Sequence, residues 1–380
     1  MLIDRRLIKQ FDWPLFFLSL IIPSLGLIVL YSAGYSTSAP AVFDWIPSEI
    51  KSPAFVKQSL FLLSGLIVML IGMSIPPNTF HRYAYLIFFI SVVLLVMVLA
   101  AGVVSHGSRR WLLLGGFTLQ PSELMKLTLI LALARYLSRH PIDSDGYGFK
   151  QLLIPLMIIS VPMALIMKQP DLGTALSVGS IGIMMILFMG VRLKTLGVII
   201  LTGLGAIYPA WLSLHDYQKR RILALINPDA DPLGSGYHII QSKIAVGSGG
   251  ILGKGFMKGT QTQLEFLPEH TTDFVFSVLS EEWGFFGAIF VLALFFFLIF
   301  RILNVSLRSR DFFAALVVFG IAASLFFHII VNVGMVIGIL PVVGLPLPLF
   351  SYGGSSILSN MFSIGIVQGV AMRRLLFAAK

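Results

Sequence analysis

YLIFFISVVLLVMVLAA, residues 85–101, contains no Asp, Glu, Lys or Arg and no alternation of polar with apolar positions. An α-helix rises 1.5 Å per residue, so about 20 apolar residues cross a hydrocarbon core about 30 Å thick. A helix that is apolar on every face has no side to offer to water. This run therefore predicts a membrane span near 82–104, and similar runs recur along the chain. They predict spans near 14–33, 56–75, 122–138, 152–168, 172–190, 195–212, 273–300, 312–340 and 349–372. The fold class expected is an all-α polytopic membrane protein with about ten transmembrane helices, a single transmembrane domain over residues 1–380. The ninth span is long and Gly-rich, and is expected to tilt or break near Asn332–Gly334. Pro155, Pro162, Pro341, Pro346 and Pro348 mark helix ends or kinks that neighbouring helices must satisfy.

Composition agrees. Of 380 residues, 57% are hydrophobic and 12% charged, against about 25% charged in a soluble domain. Too little polar surface remains to cover a water-soluble globule. The absence of cysteine excludes a disulfide framework, a thiol nucleophile and a thiolate metal site. A net charge of +10 could suggest nucleic acid. The basic residues are instead scattered between apolar runs, which suits anionic lipid headgroups and an anionic lipid substrate. The first apolar run, Leu15 to Tyr31, lacks a small-residue cleavage site and reads as a first span.

The basic residues also orient the chain. With a cytoplasmic N-terminus, the inner segments hold Arg5, Arg6, Lys9, Arg82, Arg135, Arg139, Lys150, Arg192, Lys194, Arg301, Arg308, Arg310, Arg373, Arg374 and Lys380. The short outer loops hold Lys51, Lys57, Arg109, Arg110 and Lys168. The imbalance predicts cytoplasmic termini and one long extracytoplasmic loop, 213–272, between spans seven and eight. A structureless loop of that length is improbable on loop-length grounds. Stretches such as Tyr237–Val246 predict short amphipathic helices along the outer headgroups.

Ionisable residues at membrane depth are expensive and become functional candidates. They cluster in Gly107-Ser108-Arg109-Arg110-Trp111, in Gln120-Pro121-Ser122-Glu123-Leu124-Met125-Lys126, in Lys168-Gln169-Pro170-Asp171, and in Glu265-Phe266-Leu267-Pro268-Glu269-His270-Thr271-Thr272-Asp273-Phe274. The last outer loop adds Ser351-Tyr352-Gly353-Gly354-Ser355. Glu123 and Lys126, spaced i, i+3, read as an intramembrane ion pair. Asp171 follows Pro170 at a helix start, where an acid suits the dipole, and it could also line a cavity. Glu281 and Glu282 lie two turns into the eighth span, so at least one should face the protein interior. The Ser351–Ser356 stretch either cradles a headgroup or forms a tight packing turn. His328 reads as a packed, hydrogen-bonded histidine. Thr271, Thr272 and Asp273 are good N-cap residues before an apolar run.

These motifs, in this order and over nearly the whole chain, resemble the SEDS family (shape, elongation, division and sporulation), in its elongation branch. Asn227-Pro228-Asp229-Ala230-Asp231-Pro232-Leu233-Gly234-Ser235-Gly236-Tyr237-His238 and Ile339-Leu340-Pro341-Val342-Val343-Gly344 carry the likeness to that branch. The family usually reads Pro-Glu-x-His-Thr-Asp-Phe; here Thr271 holds the usual His position and His270 sits one place earlier. The resemblance implies a peptidoglycan glycosyltransferase using lipid II, with Asp273 as the catalytic base. Its inverting displacement releases undecaprenyl diphosphate and needs positive charge for the leaving group. Implied substrate-binding residues are Arg109, Arg110, Trp111, Glu123, Lys126, Gln169, Asp171, Lys243, Ser351, Gly353 and Gly354. Lys168, Lys254 and Lys258 are further basic candidates for the diphosphate. No cofactor is called for, although a divalent cation could assist the diphosphate, and no His/Asp/Glu spacing indicates a structural metal.

A lipid II flippase and a non-catalytic scaffold of the elongation machinery are the alternative readings. A flippase should show paired inverted halves and midplane charge, whereas here the polar motifs gather at one face. No soluble domain able to cross-link peptides is read in the chain, which offers no Ser-x-x-Lys with supporting motifs in an extracytoplasmic domain. The resemblance implies as partners a class B penicillin-binding protein and other elongation-machinery membrane proteins. Small residues permit close helix approach, so Gly320, Ala322, Ala323, Ser324, Gly334 and Gly338 point to the eighth and ninth spans as the docking face.

Overall fold

The computed structural model describes residues 10–35, 52–105, 108–114, 117–140, 146–231, 234–264 and 266–373. Of the residues singled out above, Arg5, Arg6, Lys9, Lys51, Gly107, Pro232, Leu233, Glu265, Arg374 and Lys380 lie outside that set.

Among the described residues, eight helices are long and apolar enough to cross a membrane. They are α1 (Trp13–Ala33), α2 (Pro53–Ser74), α3 (Pro77–Ala101), α5 (Phe149–Met167), α6 (Leu172–Met189), α11 (Val275–Arg308), α12 (Phe312–Val336) and α13 (Gly354–Arg373). Two further long helices, α4 (Pro121–Arg139) and α7 (Leu193–Ser213), fall at the expected fourth and seventh spans. The segment after α7 carries α8 (Asp216–Ile226), a 3-10 turn (Pro228–Ala230), α9 (Ser235–Ser248) and α10 (Thr260–Gln263). The stretch Tyr237–Val246 indeed lies within a helix.

The all-α expectation needs one correction. Between α3 and α4 the chain forms a small antiparallel sheet of β1 (Val103–Ser105), β2 (Ser108–Leu114) and β3 (Phe117–Leu119). Val, Trp, Thr and Leu in short runs suit pleated pairing, so α3 ends at Ala101 instead of near 104. The fold is mostly α-helical.

Helix α4 is the centre of the bundle. It packs against α3, α5, α6, α12 and α13, and it is buried along most of its length. That burial accommodates the charges that set it apart from the lipid-facing spans. Lys126 Nζ lies 2.8 Å from Glu123 Oε1 and 3.1 Å from His328 Nε2 on α12. His328 Nδ1 lies 2.8 Å from the Ser324 carbonyl. That contact assigns the ring proton to Nδ1, leaving Nε2 to accept from the lysine.

Gly320, Ala322, Ala323 and Gly334 of α12 are buried within the chain, which overturns the expectation that these small residues form a docking face; Phe326 and Ile330 lie on the exposed side of the same helix. Ala322 is 2% exposed and Ile329 6%. A Cβ on Gly320 would lie 2.6 Å from Ile130 Cγ2. The small residues bring α12 close to α4 inside the chain. Of the two expected docking spans, α11 is the more exposed, presenting Phe286, Phe290, Phe296 and Phe297. Helix α7 packs against no other element to a comparable extent, and Leu201, Leu204 and Tyr208 on it are exposed.

A break does occur within a long span, but in the eighth. Gly284, at φ 68° and ψ −164°, interrupts α11 in a backbone region essentially restricted to glycine. The loop following α9 fills the break. Lys254 and Gly255 N–H donate to the Glu281 and Glu282 carbonyls at 3.0 Å each, while Phe285 and Phe286 N–H donate to Gly250 and Ile251 carbonyls at 2.9 and 3.3 Å. Backbone groups freed at membrane depth thus find partners in protein, as they must. Glu281 and Glu282, 0% and 1% exposed, both face inward. Glu281 Oε1 receives Lys254 Nζ at 2.7 Å, and Glu282 Oε1 bonds Ser32 Oγ on α1.

Candidate active site

The sheet, the α6 start, α8, α9, the turn before α11 and the α12–α13 connector meet at one end of the bundle. Tyr217 OH donates to the Pro170 carbonyl at 3.3 Å. Arg110, on β2, donates to that same carbonyl and stands 3.8 Å from Asp171 Oδ1. The opposite end is tied by other arginines: Arg135 donates to the Arg82 carbonyl, Arg301 pairs with Asp12 at 2.7 Å, and Arg373 holds the Met73 and Ser74 carbonyls.

At the first end lies a cavity of about 430 Å³, lined by Tyr217, Arg220, Arg221, Asp231, Gly234, His238, Glu269, Asp273, Phe274 and Val342. The turn that delivers Asp273 is closed by Glu269, a non-glycine residue at φ 53°. Its carbonyl accepts the N–H groups of Thr272, Asp273 and Phe274 at 3.1–3.2 Å. The N-cap of α11 is Phe274, and no side chain caps this helix. Among the described residues the Asp273 carboxylate takes no hydrogen bond or ion pair, so the capping reading gives way and both oxygens remain available. Burial pushes its pKa up to about 7, reinforced by Glu269 and Asp171 and opposed by Arg221 and Arg110. His238 stacks on Phe274 with ring centroids 6.1 Å apart. Burial, then Arg221, lower its pKa and favour the neutral ring. The cavity therefore offers a proton acceptor tuned near neutral pH beside two guanidinium groups suited to phosphate oxygens.

Of the residues expected from the sequence, Asp273 lines this cavity, and Arg110 and Asp171 stand near enough to act on its charge. Asp171 is also the N-cap of α6, accepting from Thr174 N at 3.2 Å and Thr174 Oγ1 at 2.9 Å. Arg109 is exposed and Trp111 half-buried on β2. Gln169 is buried, its amide donating to the Leu95 carbonyl at 3.0 Å. Glu123 and Lys126 form the interior pair on α4. Lys243 is exposed on α9 and lies against Gly338. Ser351 and Gly353 are fastened to Gln58 of α2: its Nε2 donates to the Ser351 carbonyl at 3.1 Å, and its Oε1 accepts from Gly353 N at 3.0 Å. Gly354 packs on the Phe61 ring. This stretch forms a packing turn. Lys254 is engaged by Glu281, while Lys168 and Lys258 are exposed. Among the described residues, no group of three or more His, Cys, Asp or Glu is placed to hold a metal.

Sequence reasoning missed Tyr217, Arg220, Arg221, Asp231, His238 and Glu269 as cavity residues. The available signal was Tyr217-Gln-Lys-Arg-Arg221, a basic cluster on a helix-length segment. On α8, Gln218 and Ala224 face inward, and Arg220 and Arg221 turn to the cavity.

Fold and site together define a polytopic membrane protein with carboxylates and arginines gathered around a cavity at one end of its helix bundle. Residues 12–375 match the family described as "Cell cycle protein", that of FtsW, RodA and SpoVE. The chain is 41% identical over 353 residues to the peptidoglycan glycosyltransferase MrdB of Escherichia coli K12, covering 93% of this chain and 94% of that one. It is 37% identical over 364 residues to the stage V sporulation protein E of Bacillus subtilis, covering 95% and 96%. Among solved structures, it resembles a chain from a peptidoglycan synthase complex that coordinates polymerization and crosslinking. That match has a TM-score of 0.78 and 34% identity, covering 96% of this chain and 98% of that one. The rod shape determining protein RodA of Thermus thermophilus superposes with a TM-score of 0.69 at 30% identity, covering 96% and 97%. The chain belongs to the SEDS family of FtsW and RodA peptidoglycan glycosyltransferases and is a multi-pass inner-membrane protein of peptidoglycan synthesis.

Proposed function

We propose that this chain polymerises lipid II during rod elongation, with Asp273 as general base. The observation that carries the reading is a carboxylate whose pKa burial pushes up to about 7, with no hydrogen-bond or ion-pair partner among the described residues, in a cavity shared with Arg220 and Arg221. The acceptor's sugar hydroxyl loses its proton to Asp273 as its oxygen bonds to the anomeric carbon of the donor. The bond from that carbon to the diphosphate oxygen breaks, the anomeric centre inverts, and undecaprenyl diphosphate leaves. Arg220, Arg221 and Arg110 take up the charge that grows on the departing diphosphate. A group with a pKa near the working pH is well matched to accept such a proton.

The working arrangement has ten spans in a single transmembrane domain. Both termini are cytoplasmic, and the cavity opens at the outer surface beside the long loop. The clustering of Arg82, Arg135, Arg301 and Arg373 at the end away from the cavity supports this orientation. A class B penicillin-binding protein is the partner, an assignment supported by the likeness to a chain of a synthase complex. The test is lipid II polymerisation by the purified chain with that partner. Wild type should release undecaprenyl diphosphate and build glycan, and Asp273→Asn should do neither. Near-normal glycan from a folded Asp273→Asn protein would remove the base assignment.

A further inference from the structure

Among the described residues the Asp273 carboxylate makes no hydrogen bond or ion pair, so the way its backbone is held decides its position. Among the described residues two anchors hold that backbone to neighbouring elements. The Tyr352 N–H donates to the Thr271 carbonyl at 3.0 Å. The second is Asn332 on α12, fully buried, whose side-chain Nδ2 donates to the Asp273 carbonyl at 2.9 Å and to the Leu345 carbonyl at 2.8 Å. One NH₂ group has two hydrogens, and both are committed.

The second acceptor matters as much as the first. Leu345 belongs to the connector whose Val342 lines the cavity. Its Gly344 adopts φ 73°, and a Cβ there would sit 3.4 Å from Asp273 Oδ2. The connector therefore passes directly beside the carboxylate. Asn332 ties the strand of chain that carries the carboxylate to the strand that forms the wall next to it. One turn away on the same helix, His328 accepts from Lys126 and so anchors α12 to the interior pair on α4.

We infer that Asn332 is a positioning residue for Asp273: its amide fixes the distance between the carboxylate and the Val342–Leu345 wall, and thereby the depth at which the carboxylate is buried. The inference rests on Asp273 being the base. A displacement of about 1 Å in a reacting group is enough to cost on the order of 100-fold in rate. The loss should fall on turnover, because Asn332 is buried behind the backbone and touches no cavity space.

The test compares wild type, Asn332→Leu and Asn332→Ser in the full chain with its partner. Leu removes both donors at similar volume without adding charge, and Ser removes their reach at smaller volume. Expected are a fall in kcat of about tenfold or more with KM within about twofold. The acidic limb of the pH–rate profile should move below 7, because a loosened Asp273 gains water. Amide hydrogen exchange, read without any substrate, should rise in 266–274 and 341–349 and stay unchanged in α2 and α3. Should the Leu variant fail to fold, the Ser variant decides on the same readouts. Unchanged exchange in both segments with an unchanged pH profile would overturn the inference, even if yield fell. If wild type itself makes no glycan while exchange rises as expected, Asn332 still fixes the Asp273 turn to the wall, and the base assignment is what fails.

Discussion

Asp273 illustrates how a residue's neighbours convert a common side chain into a specialised one. A carboxylate used as a helix cap is held by backbone N–H groups, and its pKa drops. Here the cap is left to Phe274, and burial carries the pKa to about 7. Two outcomes follow at this scale. If Asp273 is the base, the polymerisation rate should fall about tenfold per pH unit below 7 and level off above it, as initial rates from pH 5 to 8.5 would show. Stability should run the other way. A folded-state pKa raised above 3.8 disfavours the charged form, so the cost is absent near pH 4 and grows as pH climbs to 7. Asp273→Asn should therefore melt higher than wild type at pH 8 and alongside it near pH 4, while losing activity at both. A melting difference that does not depend on pH would show that the carboxylate is solvated. Among the cations, Arg221→Ala should lower kcat/KM for lipid II by about tenfold or more, since a charged hydrogen bond contributes about 1.5–3 kcal/mol. The exposed Lys258→Ala serves as control. Equal small losses at both positions would indicate only general attraction to an anionic lipid.

At the scale of the element, the broken helix α11 is the feature on which the site leans. Gly284 lets the chain leave the helix, and the loop after α9 supplies the missing hydrogen bonds. A Cβ at Gly284 would come 2.3 Å from Gly253 N. Gly284→Ala should therefore expel that loop at a cost of about 1–3 kcal/mol, measurable as a lower melting temperature with protease sensitivity in 249–263. Lys254→Met should give a milder form of the same defect, because a charge as deeply buried as Glu281 loses its cation. If Gly284→Ala melts like wild type, the break would be a consequence of packing elsewhere. The element scale also explains why helix α4 reads differently from the other spans. Its charged residues look costly in a sequence window, yet they are paired in a helix surrounded by protein.

The whole molecule fixes which faces meet lipid, water and partner. The absence of cysteine makes single-cysteine mapping clean. Cysteines at Lys258 and His140, both exposed, should be labelled by a membrane-impermeant maleimide from opposite sides: Lys258→Cys in intact spheroplasts, His140→Cys after lysis only. Labelling from the same side would overturn the proposed topology. For the partner, Phe290→Cys and Phe297→Cys should cross-link to the class B penicillin-binding protein, because α11 exposes those rings. Ala322→Cys, buried against the bundle, should not. Cross-links at Ala322 with none on α11 would mean that α12 rearranges on assembly.

The membrane class, the helix-rich fold and Tyr237–Val246 as helix were legible in the chain itself; for Asp273 the residues alone suggested a helix cap, and the family resemblance was what singled it out as a candidate base. Length and continuity of apolar runs are local properties, and an acid at the mouth of a span is conspicuous wherever the span goes. The tertiary structure alone decided which side chains share a cavity. Arg220, Arg221 and His238 lie tens of residues from Asp273, and only the folding of α8 and α9 over the end of the bundle brings them together. The same is true of inside and outside for the small residues. Gly320, Ala322 and Ile329 look alike whether they face a partner or an interior helix, because a bilayer core and a protein interior are equally apolar to them. Only packing distinguishes the two, and packing placed these residues of α12 inside. Likewise the break fell at Gly284 instead of Asn332–Gly334, since a glycine permits a break but a neighbouring loop with free hydrogen-bonding groups must be present to stabilise it.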